Sequence, residues 1–422
     1  LIEKEAKPYY SRTLLMKIFR IITFLSLIFI GFPLQAVNLQ FACEQAWNLP
    51  ENKTYFLKTA GLLTEVVNQA RSKTGVSLLV SGFLGTYEPF GNRSSSGMGA
   101  SATLLYPLFP NGTYYTQEQR AKQLLNAQLF TQSFAELMLI DQVTQVYMSI
   151  LTLEKNNSLY EDMIVESQKR LSLLKKWAMM GRIKQSDVLG ADIQLQQLKA
   201  SLESNFSSLQ QARLQFSFLT GLSQMSELED PRFVLKGLEF DESVLANRLD
   251  IKSQESVVVA ASEWLAYQQN ETLPKIDAIA SSQYVKNLSI NQNTSFLGVQ
   301  LSYPSFVVGT ERFELKQAQW QLDIEKIVLE RLKRQALSVI KQTASDLKGK
   351  QLVLDTQTKT LETTKKYVKL VEDDYEKRLA TQVDVNMAVS SLIEVQKNVY
   401  ATYFQMQTLL VRLHLLKGNK PW

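Results

Sequence analysis

Few residues in this 422-residue chain are equipped for catalysis. It has one cysteine, Cys43, and one histidine, His414. Together they are too few for a zinc site, and one cysteine cannot form an intrachain disulfide. A single histidine also leaves no basis for a Ser-His-Asp or Cys-His nucleophile. No glycine-rich phosphate loop or metal-ligand cluster stands at a recognised spacing. The carboxylates that stand out are Asp187 and Asp384. Each lies six residues beyond a candidate turn residue, Gly181 or Arg378, and just before an apolar helical pattern. At that position an aspartate can cap a helix start. His414, near the end of the last helical pattern, reads as a cation beside the final carbonyls.

The two aspartates are related by a repeat. Tyr106-Pro107-Leu108-Phe109 returns as Tyr303-Pro304-Ser305-Phe306, 197 residues on. The same offset joins Gly112-Thr113 to Gly309-Thr310, Gln185-Ser186-Asp187-Val188 to Gln382-Val383-Asp384-Val385, and Gly221 to Gly418. One register held over more than a hundred residues implies tandem duplication. The expected units are 37–221 and 243–418, with a linker at 222–242 containing Asp230-Pro231 and a tail at 419–422.

Each unit reads helix, strand, loop, strand, long helix, turn, helix. The long helices are expected near 114–177 and 310–376, where Gly349 is the only glycine and proline is absent. The helices after the turns carry apolar residues at spacings of three and four: Val188, Ala191, Leu195 and Leu198, then Val385, Ala388, Leu392 and Val395. Such near-heptad seams pack on other helices. Gly221 and Gly418 fall where a helix C-cap is expected.

The strands alternate with period two. Val76, Leu78, Val80 and Leu84 alternate with small polar residues, as do Ala100, Ala102, Leu104 and Tyr106, and Leu297, Val299, Leu301 and Tyr303. Runs of about ten suit a tilted membrane-crossing strand. The intervening segments, 88–96 and 287–294, are polar. Tyr87, Tyr106, Tyr284 and Tyr303 fall where an interfacial aromatic girdle would lie. Four strands cannot close a barrel, and open edges in lipid leave backbone groups unsatisfied. Chains must therefore pool strands, and the helices would pool likewise.

Residues 1–36 have the layout of a secretory signal. Lys17 and Arg20 precede an apolar run, Ile21 to Phe32, and Ala36 ends a small-residue cleavage site. Met16 is a natural start, which makes residues 1–15 upstream sequence. A mature start near Val37 is expected, without lipid on Cys43. The remaining chain carries 41 basic and 39 acidic side chains, a balance that gives nucleic acid no electrostatic hold.

This layout resembles the TolC-like outer-membrane efflux protein family over essentially the whole exported chain. The matching pieces are the duplication, the strand-ending Tyr-Pro-x-Phe with a glycine three residues on, Gly181 to Val188 at the first turn, Leu273-Pro274-Lys275-Ile276, and Arg248-Leu249-Asp250-Ile251. The resemblance implies a mainly α fold with a small membrane β part. It implies a homotrimer in outer-membrane lipid, whose 12-stranded β-barrel continues into a 12-helix periplasmic α-barrel. It also implies a periplasmic adaptor and an inner-membrane transporter as partners, drugs, metals or proteins as cargo, and no cofactor. By the same resemblance, Asp187 and Asp384 occupy tip positions of a periplasmic gate, and Tyr375 bonds across to Asp187. Three copies of Asp384 would form a carboxylate ring. Gly181, Arg182, Ile183, Arg378, Leu379 and Ala380 would form the turns that meet the adaptor. Three positions depart from the family: Ala380 stands for a gating arginine, Met387 for a second pore aspartate, and Arg378 for the second turn's glycine. The competing reading is a periplasmic coiled-coil scaffold or adaptor with a small soluble sheet. An exported enzyme is a more distant third.

Overall fold

The computed structural model describes residues 36–87, 95–109, 112–223, 227–233, 242–287, 291–303 and 310–422. The signal-like segment up to residue 35 lies outside these residues. So do most of the first polar loop, Pro304 to Gly309 of the second repeat match, and parts of the 222–242 linker.

The elements run in the expected order. Helices α1 (Leu39–Asn48) and α2 (Pro50–Ser72) lead into strands β1 (Ser77–Tyr87) and β2 (Ser95–Phe109). Helix α3 (Thr113–Met179) and helix α4 (Gln185–Thr220) form the first long hairpin. A 3-10 turn (Glu242–Asn247) then opens the second unit: α5 (Leu249–Glu271), β3 (Lys275–Asn287), β4 (Asn291–Ser302), α6 (Thr310–Glu376) and α7 (Gln382–Leu416). Helices α3 and α6 have 67 residues each and start and end 197 residues apart, so the duplication is written into the helix bounds. At 1.5 Å per residue each extends roughly 100 Å. Among the described residues no helix is long and apolar enough to cross a membrane.

The four strands form one antiparallel sheet in the order β1-β2-β3-β4. The strands are 11 to 15 residues long, longer than the alternation alone suggested. The second polar loop is shorter to match, because pairing with β3 carries β4 back to Asn291. Leu78, Leu104, Ala280 and Leu297 stand side by side across the sheet. They lie on the face that also carries Val80, Tyr106, Val299 and Leu301, all of them exposed. β1 and β4 are the two open edges.

The main helical core lies where α1, α3, α4 and α7 meet, around Val143, Tyr147, Phe216, Phe404 and Val411. Tyr147 Oη lies 2.7 Å from the Val37 carbonyl and 2.6 Å from that of Glu229. That contact changes the picture of the linker. Leu228 pairs with Val37, and Phe233 packs on the core with its N–H donated to Gln407 Oε1 at 3.0 Å. The 227–233 stretch is held down by these bonds, although its side chains are exposed or only half-buried.

Cys43 is buried in the same core, and burial pushes its thiol up to about 12. Arg248 explains the motif at the start of α5. It grips Asp250 through Nε (3.0 Å) and Nη2 (2.6 Å) and donates Nη1 to the Leu416 carbonyl at 3.3 Å. The start of one helix is thereby tied to the end of another. At His414, which stands in the last turn of α7, burial first and then the neighbouring Lys417 lower the pKa from its usual 6.5, which weakens its role as a cation beside the final carbonyls.

Candidate functional site: the tips of the two helical hairpins

The turns between α3 and α4 and between α6 and α7 are built alike. In the first, Gly181 has φ 67°; in the second, Arg378 has φ 65°. Both helices end with a hydrogen bond reaching back five residues, Arg182 N to Trp177 O at 2.9 Å and Leu379 N to Asp374 O at 2.8 Å. A left-handed residue closing such a bond is usually glycine. Arg378 is the only non-glycine with positive φ among the described residues.

Asp187 and Asp384 each lie in the first turn of the helix that follows. Their surroundings differ. Thr381 caps α7, and its hydroxyl accepts from Asp384 N at 3.3 Å. The Asp384 carboxylate accepts in return from Thr381 N at 2.8 Å and from the Thr381 hydroxyl at 2.6 Å. This is a reciprocal capping box. The hydroxyl bond first, then the backbone N–H, hold the Asp384 carboxyl below its usual value of 3.8. Within one chain, then, the capping reading of Asp384 holds. At the first turn the cap position is Lys184, which makes no side-chain bond to the helix. The Asp187 carboxylate is left outside any capping box.

Tyr375 joins the two hairpins. It packs against two clusters of buried residues, one containing Leu171, Leu174 and Val188, the other containing Val371 and Val385. Its Oη is buried and has no hydrogen-bond partner within the chain. The implied Tyr375–Asp187 bond is therefore not made here, although Asp187 is near enough for its charge to act. Burial first, then Asp187, raises the Tyr375 phenol, while Arg170 opposes them.

Arg170 was not legible from the repeat. It pairs with Glu372, joining α3 to α6 where Tyr375 sits. At the 197-residue offset Arg170 matches Tyr367 and Glu372 matches Lys175, so the duplication hides this pair. One turn further from the tip, Asn386 Nδ2 donates to the Gly190 carbonyl at 3.2 Å, linking α4 to α7.

The expected contact residues divide. Arg182 and Leu379 are exposed, Leu379 to 77%. Ile183 is half-buried against Leu171 and Leu174, and Ala380 is half-buried against the second hairpin's core. Met179, Met180 and Val383 are exposed apolar side chains beside the turns that sequence reasoning passed over. Two adjacent methionines at a helix end were the available signal. Among the described residues no group of three or more His, Cys, Asp or Glu could hold a metal ion.

Known proteins share this architecture. CusC superimposes with a TM-score of 0.82 at 13% identity, covering 91% of this chain and 93% of its own. VceC of Vibrio cholerae gives 0.79 at 17% identity, with coverages of 91% and 97%. MtrE of Neisseria gonorrhoeae, an outer membrane channel solved in its open state, gives 0.75 at 16% identity, with 90% and 89%. Residues 242–419 match the family model described as outer membrane efflux protein. The chain has the fold of the outer-membrane efflux proteins. The sequence match falls on the second repeat unit, and the structural likeness extends the efflux-protein fold across the first. No curated protein matches the sequence.

Proposed function

We propose that this chain is the outer-membrane exit duct of a tripartite efflux or type I secretion assembly, passing cargo from the periplasm to the outside without catalysis. One observation carries the reading. A four-stranded sheet with both edges unpaired exposes an apolar band, Leu78, Val80, Leu104, Leu297, Val299 and Leu301, and two 67-residue helices run away from it. A soluble scaffold would bury that face in its own core. In lipid the face is solvated, and the edges are satisfied only when copies join. Three copies supply twelve strands and a helical tube. Helix α6 carries an exposed stripe, Phe313, Trp320, Ile324 and Ile327, at helical spacing for a neighbouring chain to cover.

The two tips form the periplasmic end of this duct. Tyr375, Asp187 and Asp384 act as its gate, joined by the Arg170–Glu372 pair. Arg182 and Leu379, with the neighbouring methionines, offer the surface for a periplasmic adaptor and through it an inner-membrane transporter. The test is direct. Chemical crosslinking in detergent should give a three-chain species, extraction from membranes should require detergent, and planar bilayers should record discrete conductance steps. A chain released by salt alone, monomeric and without conductance, would refute the duct.

A further inference from the structure

Pairing places odd-numbered residues of β1, β2 and β3 and even-numbered residues of β4 on one face of the sheet. On β2 these odd positions, from Gly97 to Leu105, are half-buried, while Met98, Ala100, Ala102 and Leu104 between them are exposed. The sheet therefore curls towards its odd face, which becomes the inside of a closed barrel. That face is mostly polar, with Ser81, Ser101, Thr103, Gln283, Thr294 and Gln300.

Two phenylalanines break the pattern. Phe296 lies in one cross-strand row with Leu79, and Phe83 lies four residues further along with Val285. Both rings are about half exposed, Phe83 at 51% and Phe296 at 55%. Each lies over a glycine. A Cβ on Gly99 would sit 2.5 Å from the Phe83 ring, and one on Gly298 would sit 2.7 Å from that of Phe296. The absent side chains are what let the rings lie along the wall. Twelve strands 4.8 Å apart, tilted by about 40°, enclose roughly 24 Å between opposite backbones, so rings held flat keep that bore open.

Asp277 is the only carboxylate on this face among the described strand residues. It lies four residues, about 13 Å, below the Phe296 row, on the side from which the helices enter. Lys275, one rung further down, is occupied by Glu271 at 2.9 Å.

We propose that Asp277, Phe296 and Phe83 form a cargo track for amphiphilic organic cations, in which Asp277 meets the positive charge first and the recessed rings, about 13 Å and about 26 Å further along, hold the apolar surface in turn. An aromatic face attracts both apolar surface and cationic charge. This rests on the duct reading, and the test separates the two. The purified full-length trimer is placed in a planar bilayer, and block is compared for tetraphenylphosphonium and tetramethylammonium. Tetraphenylphosphonium should block at a concentration at least about tenfold lower. The double variant Phe83→Ser, Phe296→Ser should remove that preference, weakening tetraphenylphosphonium block far more than tetramethylammonium block. Asp277→Asn should weaken block by both. Gly298→Ala should lower the conductance by lifting the Phe296 ring, and adding Phe296→Ala should restore it. Gly298 is preferred to Gly99 for this, because a Cβ on Gly99 would also meet the Tyr284 carbonyl at 2.8 Å. Equal block by the two cations, or a preference that survives loss of both rings, overturns the track while leaving the duct intact. Absence of any pore overturns both.

Discussion

The two hairpin turns share a backbone and differ in what holds it. Turn one uses Gly181 where φ is 67° and places Lys184 at the start of α4. Turn two forces Arg378 to 65° but starts α7 with the Thr381–Asp384 capping box. Each copy is favourable at one position and unfavourable at the other. A left-handed arginine costs roughly 1 kcal/mol, and a threonine cap contributes about as much. The duplicated geometry therefore survives through different local compensations. It leaves Asp187 free to act across the hairpins, while Asp384 is engaged in its own helix.

Four experiments would break or sharpen this comparison. The largest effect is expected at the link between the hairpins. Arg170→Ala strands Glu372 and removes the cation beside Tyr375. The pair is only partly covered, with side-chain exposures of 21% and 39%, so the loss should be about 1–2 kcal/mol. Single-channel recording should show a larger resting conductance than wild type, and an unchanged conductance would remove the pair from the gate.

Next come the left-handed positions, where the two turns should respond in opposite directions. Gly181→Ala should destabilise turn one by roughly 1–2 kcal/mol, all of it backbone strain, since nothing lies within 4 Å of the added methyl. Arg378→Gly should stabilise turn two by about 0.5–1 kcal/mol. Hydrogen exchange of the turn amides reports both. A shift of the same sign in both turns would show that their backbones are not equivalent.

The caps follow. Thr381→Ala should lower protection at the start of α7 by about 1 kcal/mol, and Lys184→Thr should raise it at the start of α4 by a little less. The second change should also draw the Asp187 carboxylate back towards its own helix. Gate closure, read as conductance, then shows whether Asp187 needs to be free.

The smallest effect is that of pH on Asp384. Its carboxyl is held below 3.8 in the folded chain, so the capping box contributes above that value and is lost as pH falls through the depressed one. Protection at the start of α7, taken relative to the intrinsic exchange rate at each pH, should fall in acid in the wild type and show no such step in Thr381→Ala. The cation preference of Asp384→Ala is a separate measure. If it matches wild type, Asp384 caps a helix and does nothing in the pore.

Much of this was legible in the chain alone. The bounds of α3 and α6 were close to legible, because long runs with no proline and only Gly349 inside them end where their punctuation stands. The strand faces followed from period-two alternation, and the count of four strands was there to be read. Contacts between the copies were hidden. Arg170 and Glu372 lie 202 residues apart and respect no repeat. The role of 227–233 was hidden too, since a polar connector looks the same whether loose or stitched to Val37 and Gln407.

By itself the sequence determined the elements, their order and their duplication, because hydrophobic period and turn chemistry act over a few residues. It also determined that the sheet has one apolar and one polar face. Only the tertiary structure decided that Tyr375 sits between two hairpins without the expected bond to Asp187, and that burial lowers the His414 pKa. Only the tertiary structure laid Phe83 over Gly99 and Phe296 over Gly298. The physical reason is the same in each case. Burial, charge and close approach depend on which side chains meet across long stretches of chain, and no local pattern in the sequence records those meetings.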